Sequence, residues 1–162
     1  MTLLSIAANN PLLDGRQSVN ALLVRRGVQI LLNEMRYAVL PELTLASGRR
    51  ADLIAISEKG EIWIVEVKSS LEDFRTDRKW PDYRHHCDRL FFATHPDVPT
   101  DIFPEECGLI LSDGRGAHLL REAPLHTLPA ARRKAVTLSF SRTAAQRLMH
   151  AEWAAVGPMG GP

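Results

Sequence analysis

Two acids and an amine stand at spacings that suit chemistry: Asp52, then thirteen residues, then Glu66-Val67-Lys68. Side chains alternate faces along a strand, so Glu66 and Lys68 point one way and Val67 the other. Two ionised carboxylates a few ångströms apart repel, and one is pushed toward protonation unless a dication joins them. Hard oxygen donors suit Mg²⁺ or Mn²⁺. Asp52, Glu66 and the carbonyl of Val67 would give three ligand positions and leave others for water and phosphate oxygens. Lys68 would then lower the pKa of an attacking water, accept its proton once itself deprotonated, or offset charge in the transition state. The bland alternative is an ion pair at a strand end, Glu66 or Asp52 with Lys68. Arg49 and Arg50, beside Asp52, are the cations best placed for a phosphate.

The elements that must position these groups can be read from periodicity. Trp63, Val65 and Val67 make one apolar face and Ile62 and Ile64 the other, until Glu66 and Lys68 interrupt it. A strand apolar on both sides is buried on both sides, so the two charges sit at the end of a central strand. Lys59-Gly60 is turn chemistry, and strands over 51–57 and 62–68 should form an antiparallel hairpin that carries Asp52 toward Glu66. Upstream, Asp14 and Gln17 open a capping-box-like helix, with helical spacing from Val19 to about Asn33. Gly27 is its weak point. A strand over 37–45 follows. Downstream, 70–77 and 82–87 read as helical pieces broken around Pro81, and 90–93 as a short buried strand. Strands over 108–111 and 117–121 flank the turn Asp113-Gly114-Arg115-Gly116. A last helix spans 141–153 with Ala145, Leu148, Met149 and Trp153 inward. The order is helix, three strands, helix, two or three strands, helix. That is an α/β fold, a mixed central sheet flanked by helices.

The chain has 162 residues, 45% hydrophobic and 24% charged, which are ordinary values for one globular domain. We expect a single domain over 1–155 and a disordered tail over 156–162. The formal net charge of +1 sets up no global field for nucleic acid, so any phosphate-binding charge must be local. Cys87 and Cys107 are too far apart for ligand spacing, and reduced thiols are expected. The first residues lack a basic lead-in and are cut short by Asn9-Asn10-Pro11. They read as a frayed end rather than a signal peptide, and no apolar run approaches the ~20 residues a bilayer span needs. The expectation is a cytoplasmic protein with no membrane partner.

Asp52 with Glu66-Val67-Lys68 in a helix, hairpin and strand setting resembles the PD-(D/E)xK nuclease superfamily, restriction endonuclease-like in fold. More narrowly, the stretch from Arg49 to Thr94 resembles the MmcB-type bacterial DNA repair family. It does so through Gly48-Arg49-Arg50-Ala51-Asp52, Ile62 to Ser70, Asp73-Phe74-Arg75, Asp77 to Tyr83 and Cys87-Asp88-Arg89-Leu90. The motif's proline is absent, since Arg50-Ala51 precede Asp52. The resemblance implies metal-dependent DNA phosphodiester hydrolysis, with Asp52 and Glu66 on Mg²⁺ or Mn²⁺ and Lys68 catalytic. It also implies a further acid from the first helix or the strand after it, Glu34 or Glu42, of which Glu42 is favoured. DNA contacts are expected from Arg49, Arg50, Ser69, Ser70, Arg75, Arg78, Lys79, Trp80 and Tyr83. For Ser70 the alternative is a helix cap, for Trp80 a partly buried core residue. The rival reading is a repair module that binds DNA structures without cutting, its DNA surface completed by a second copy or a repair partner.

Overall fold

The computed structural model describes residues 18–157. Its elements are α1 (Val19–Glu34), β1 (Ala38–Thr44), β2 (Arg50–Ile56), β3 (Ile62–Lys68), α2 (Leu71–Thr76), a 3-10 segment (Trp80–His86), β4 (Arg89–Thr94), a 3-10 turn (Thr100–Ile102), β5 (Gly108–Ser112), β6 (Ala117–Arg121) and α3 (Ala130–Val156). The six strands form one sheet in sequence order. β1, β2 and β3 run antiparallel to one another. The crossover through α2 and the 3-10 segment then sets β4 parallel to β3, and β5 is parallel to β4. β6 returns antiparallel. The sheet is mixed and flanked by helices, as the periodicity predicts, and every residue of β3 is buried.

One core cluster lies between the sheet and α1, where Val24, Val28 and Leu32 meet Leu53, Trp63, Val65 and Phe91. The opposite face gathers Ile54, Ile62, Ile64, Leu90 and Phe92 with Phe103, Leu128 and Val136. Burying a side chain of this size contributes about 1.5–3 kcal/mol. That exceeds the roughly 1 kcal/mol span of strand propensities, so the two cores fix the sheet.

Gly27 explains how α1 comes so close. A Cβ there would lie 2.0 Å from Ser112 Oγ and 2.5 Å from the Gly116 carbonyl oxygen. The Ser112 hydroxyl donates to the Val24 carbonyl at 2.8 Å, pinning the helix to the β5–β6 turn. The residue that weakens the helix pattern is what lets the helix dock.

Several expectations need correction. The cap of α1 is Ser18, whose hydroxyl accepts from the Ala21 N–H. The expected cap Asp14 lies outside the described residues, as do the N-terminal end and residues 158–162 of the tail. Residues 156 and 157 are described, and α3 runs through Val156. Pro81 does not break a helix; it stands in the first turn of the 3-10 segment, where its missing N–H has no partner to lose. The last helix is 27 residues long and faces the other way. Val136 is buried and Phe140 and Ala144 pack behind it, whereas Leu148 and Trp153 are 64% and 61% exposed and Ala145 and Met149 are exposed too. Arg133 and Arg147 reveal the inward stripe. Arg133 makes two 2.6 Å bonds to Asp88. Arg147 bonds the Pro41 and Glu42 carbonyls. No helix among the described residues is long and apolar enough to cross a membrane.

Candidate active site

The β2–β3 ladder runs from Ile56 opposite Ile62 to Leu53 opposite Val65 and there gives way. Carboxylates take over the backbone's partners. The Asp52 N–H donates to Glu66 Oε1 at 3.1 Å, and the Val67 N–H donates to Asp52 Oδ2 at 2.8 Å. Each acid thus anchors one oxygen on the other strand's frame and keeps the second without a hydrogen bond among the described residues. Both line a cavity of about 610 Å³ with Val67, Lys68 and Ser69, under α1 and the turn at Gly48.

Glu66 is 3% exposed. Burial, reinforced by the neighbouring charge of Asp52, holds its carboxyl well above the usual range. Burial also pushes Asp52 up, to about 6, against the pull of the Val67 N–H and Lys68. Two such acids, only partly offset by Lys68, are the condition a dication relieves. Among the described residues no cluster of three or more His, Cys, Asp or Glu side chains is arranged to hold a metal. The cavity is lined by the carboxylates of Asp52 and Glu66, with Val67 between the strand charges and with Asp73 and Asp77 from α2 and its end.

Lys68 pairs with neither of the acids anticipated for an ion pair. Its Nζ donates to Asp77 Oδ2 at 2.7 Å. Burial works against the ammonium, but Asp77 and the charge of Glu66 outweigh it and raise its pKa. Burial likewise opposes the Asp77 carboxylate, yet the bonds from Lys68 and the Lys79 N–H leave its pKa below the ordinary value. Asp77 is the C-cap of α2, and its carboxylate meets Lys68 at the end of β3. Asp73 accepts the Ser69 N–H at 3.1 Å while Ser70 accepts the Asp73 N–H, so Ser70 is the cap of α2. These reciprocal bonds hold the β3–α2 turn at the cavity's edge.

Glu42 is placed elsewhere than expected. The β1–β2 register passes from Pro41 opposite Leu53 to Leu43 opposite Ala51, skipping Glu42 beside Asp52. Glu42 is in the left-handed region, φ 56°, a conformation costing on the order of 1–3 kcal/mol for such a residue. Its carboxylate bonds Arg50 Nε at 2.6 Å and lies 3.5 Å from Arg25 Nη1, and it is not among the residues lining the cavity. Glu34, the other candidate, is exposed at the far end of α1. Of the expected DNA contacts, Arg49, Arg50, Ser69, Lys79 and Tyr83 line the cavity. Arg49 is held by Asp82 at 2.8 Å, and the Tyr83 hydroxyl donates to the Arg50 carbonyl at 3.0 Å. Ser70, Arg75, Arg78 and Trp80 do not line it. The Trp80 ring packs edge-on against Phe92 at 5.5 Å, the partly buried alternative. Arg25 lines the cavity and was missed; its signal is a cation one residue from Val24 and three from Val28, on α1's apolar stripe.

A solved protein of unknown function from Silicibacter pomeroyi superposes with a TM-score of 0.82 at 34% identity, covering 90% of this chain and 99% of that one. A repair endonuclease from Pyrococcus abyssi superposes with a TM-score of only 0.35 at 14% identity, over 54% of this chain and 42% of that one, a likeness too loose to bear on fold or activity. No curated protein matches the chain. The family described as DNA repair protein MmcB-like matches residues 8–155, nearly the whole sequence, and the chain belongs to that DNA repair family.

Proposed function

We propose that this chain is a metal-dependent deoxyribonuclease on a restriction endonuclease-like, PD-(D/E)xK core, hydrolysing DNA phosphodiesters in repair or recombination. The observation that carries the reading is the split of the β2–β3 ladder, where Asp52 and Glu66 replace backbone partners and both line the same cavity. Their raised pKa values mark acids kept together at a cost in stability, a pattern that clusters at functional sites. With the Val67 carbonyl they form an all-oxygen donor set that fits Mg²⁺ or Mn²⁺. A bound dication supplies Lewis-acid polarisation of a phosphate. Glu42, already engaged by Arg25 and Arg50, is left out of that set.

Lys68 acts as a cation. Its raised pKa keeps the ammonium protonated at neutral pH, which favours lowering the pKa of an attacking water or offsetting charge on the scissile phosphate over accepting a proton. Asp77 positions it. Arg49, Arg50, Lys79 and Ser69 orient the strand by its phosphates. With a net charge of +1, a second copy or a repair partner would complete the DNA surface.

The test is incubation of supercoiled, single-stranded and branched DNA, with RNA as competitor, in Mg²⁺ or Mn²⁺. We expect metal-dependent cutting that falls by about 10²–10³-fold or more in Asp52→Ala and Lys68→Ala. The rival is supported by one observation: Lys68 and Asp77 already satisfy each other. Salt-sensitive DNA binding unchanged by both substitutions, with no cutting under any metal, would establish that non-catalytic module instead.

A further inference from the structure

Arg25 has no part in the chemistry above, and its setting calls for a ligand. It projects from α1 and is 6% exposed. Its Nη1 stands 3.5 Å from Glu42 Oε1, within ion-pair range, yet that buried nitrogen makes no hydrogen bond among the described residues. Burial lowers its pKa, with Glu42 and Asp52 pulling the other way. A buried charged donor left unbonded is unfavourable, and such groups in folded proteins call for a specific explanation. The same guanidinium lines the cavity that holds Asp52, Glu66 and Ser69.

The surroundings are those of an anion site. Glu42 lies between two guanidiniums, Arg25 at 3.5 Å and Arg50 at 2.6 Å, so the three groups together carry one positive charge. The hydroxyls of Ser18 and Ser69, 3.4 Å apart, close the cavity between α1 and the β3–α2 turn. The cavity therefore brings the guanidiniums of Arg25 and Arg50 into the same lining as the carboxylates of Asp52 and Glu66. A guanidinium presents paired donors that match phosphate oxygens. We infer that Arg25 is a phosphate-binding residue, its guanidinium taking an oxygen of a nucleic-acid phosphate next to the one at Asp52 and Glu66. The identity of the strand rests on the nuclease reading; the binding of phosphate does not. The phosphate is either a terminal phosphomonoester or an internal phosphodiester, and the chemistry at Arg25 is the same.

Binding is measured in EDTA, where cutting plays no part. Single-stranded oligonucleotides with a 5′-phosphate, a 3′-phosphate or only hydroxyl ends are titrated into wild type, Arg25→Lys and Arg25→Gln, with inorganic phosphate as competitor. We expect Arg25→Gln to weaken binding about tenfold or more, as loss of a charge-assisted bond does, and Arg25→Lys to recover part of it. A loss confined to one phosphorylated end assigns a terminal phosphate; an equal loss for all three assigns an internal one. Should Arg25→Gln fail to fold, Arg25→Met with Glu42→Gln removes the buried charges together. In wild type itself, the Arg25 guanidinium NMR signal should move on titration with inorganic phosphate. Folded variants that bind every oligonucleotide as wild type does, or a guanidinium signal that phosphate leaves unmoved, overturn the proposal. Cleavage in Mg²⁺ is scored separately, so an inactive wild type that still binds phosphate through Arg25 sinks the nuclease and leaves this site standing.

Discussion

Asp52 and Glu66 make the folded chain sensitive to pH in a direction opposite to most surface acids. Both carboxyl pKa values are raised, Asp52 from 3.8 to about 6 and Glu66 well above 4.5. Folding then favours the protonated forms, so their contribution is fully present below the unfolded values and is lost as pH climbs through about 6 and beyond. His86 runs the other way, because burial lowers its pKa and its contribution fades as pH falls. It titrates equally in wild type and variants and cancels in a difference. We predict that metal-free Asp52→Asn gains in melting temperature over wild type as pH is raised from 5 to 8, and that excess Mg²⁺ or Mn²⁺ removes the gain. Differential scanning fluorimetry reads this directly, and a pH-independent difference contradicts it. Asp77→Asn gives a second prediction. Without the 2.7 Å partner, burial acts on the Lys68 ammonium less opposed, so the alkaline limb of the pH–rate profile shifts to lower pH with the fold intact. An unshifted profile would show that Asp77 does not set the state of Lys68. Strand alternation made Glu66 and Lys68 legible, and the Lys59-Gly60 hairpin brought Asp52 beside them. Asp77 and Arg25 were not, because the contacts that matter cross from α2 and α1 to the cavity.

Helix α1 shows where propensity and packing part. In an exposed helix Gly→Ala would stabilise by about 1 kcal/mol. At Gly27 the new methyl meets the Gly116 carbonyl oxygen at 2.5 Å, which is backbone and cannot swing aside. We expect Gly27→Ala to destabilise by about 1–3 kcal/mol, the usual cost of overpacking, measured by urea denaturation. A stabilised variant would mean that α1 does not dock so closely. Helix α3 makes the opposite point. Arg133 bonds Asp88, whose carboxylate also accepts the Ile62 and Leu128 N–H groups, tying β3, β4 and the lead into α3. Asp88 is 1% exposed, so Arg133→Ala leaves a buried charge unpaired and should cost about 3–5 kcal/mol. Leu148→Ala should stay within about 0.5 kcal/mol of wild type, because its side chain touches no core. The strands and the hairpin were readable since each has a clear period of two. α3 was not, since two stripes share it: Val136, Phe140 and Ala144 inward, and Leu148, Met149 and Trp153 outward. The greasier stripe is the exposed one.

Over the whole molecule charge is nearly balanced, so attraction for DNA phosphates must be local, and the site proposed for it is the cavity. Arg25, Arg49, Arg50, Lys68 and Lys79 line it, with carboxylates already engaging several of them. Each neutralised phosphate contributes about 0.9 to the slope of log K against log salt. We predict a slope between about −2 and −4 for a single copy on DNA. A much steeper slope would place additional phosphate contacts on a second copy. The proposed chemistry requires Asp52 and Glu66 to hold a dication jointly. Titration calorimetry with Mn²⁺ near pH 6.5, in two buffers of different protonation enthalpy, tests it most directly. We expect saturable binding with proton release in wild type, and neither in Asp52→Asn or Glu66→Gln. Binding that survives both substitutions, or that wild type lacks, would contradict it.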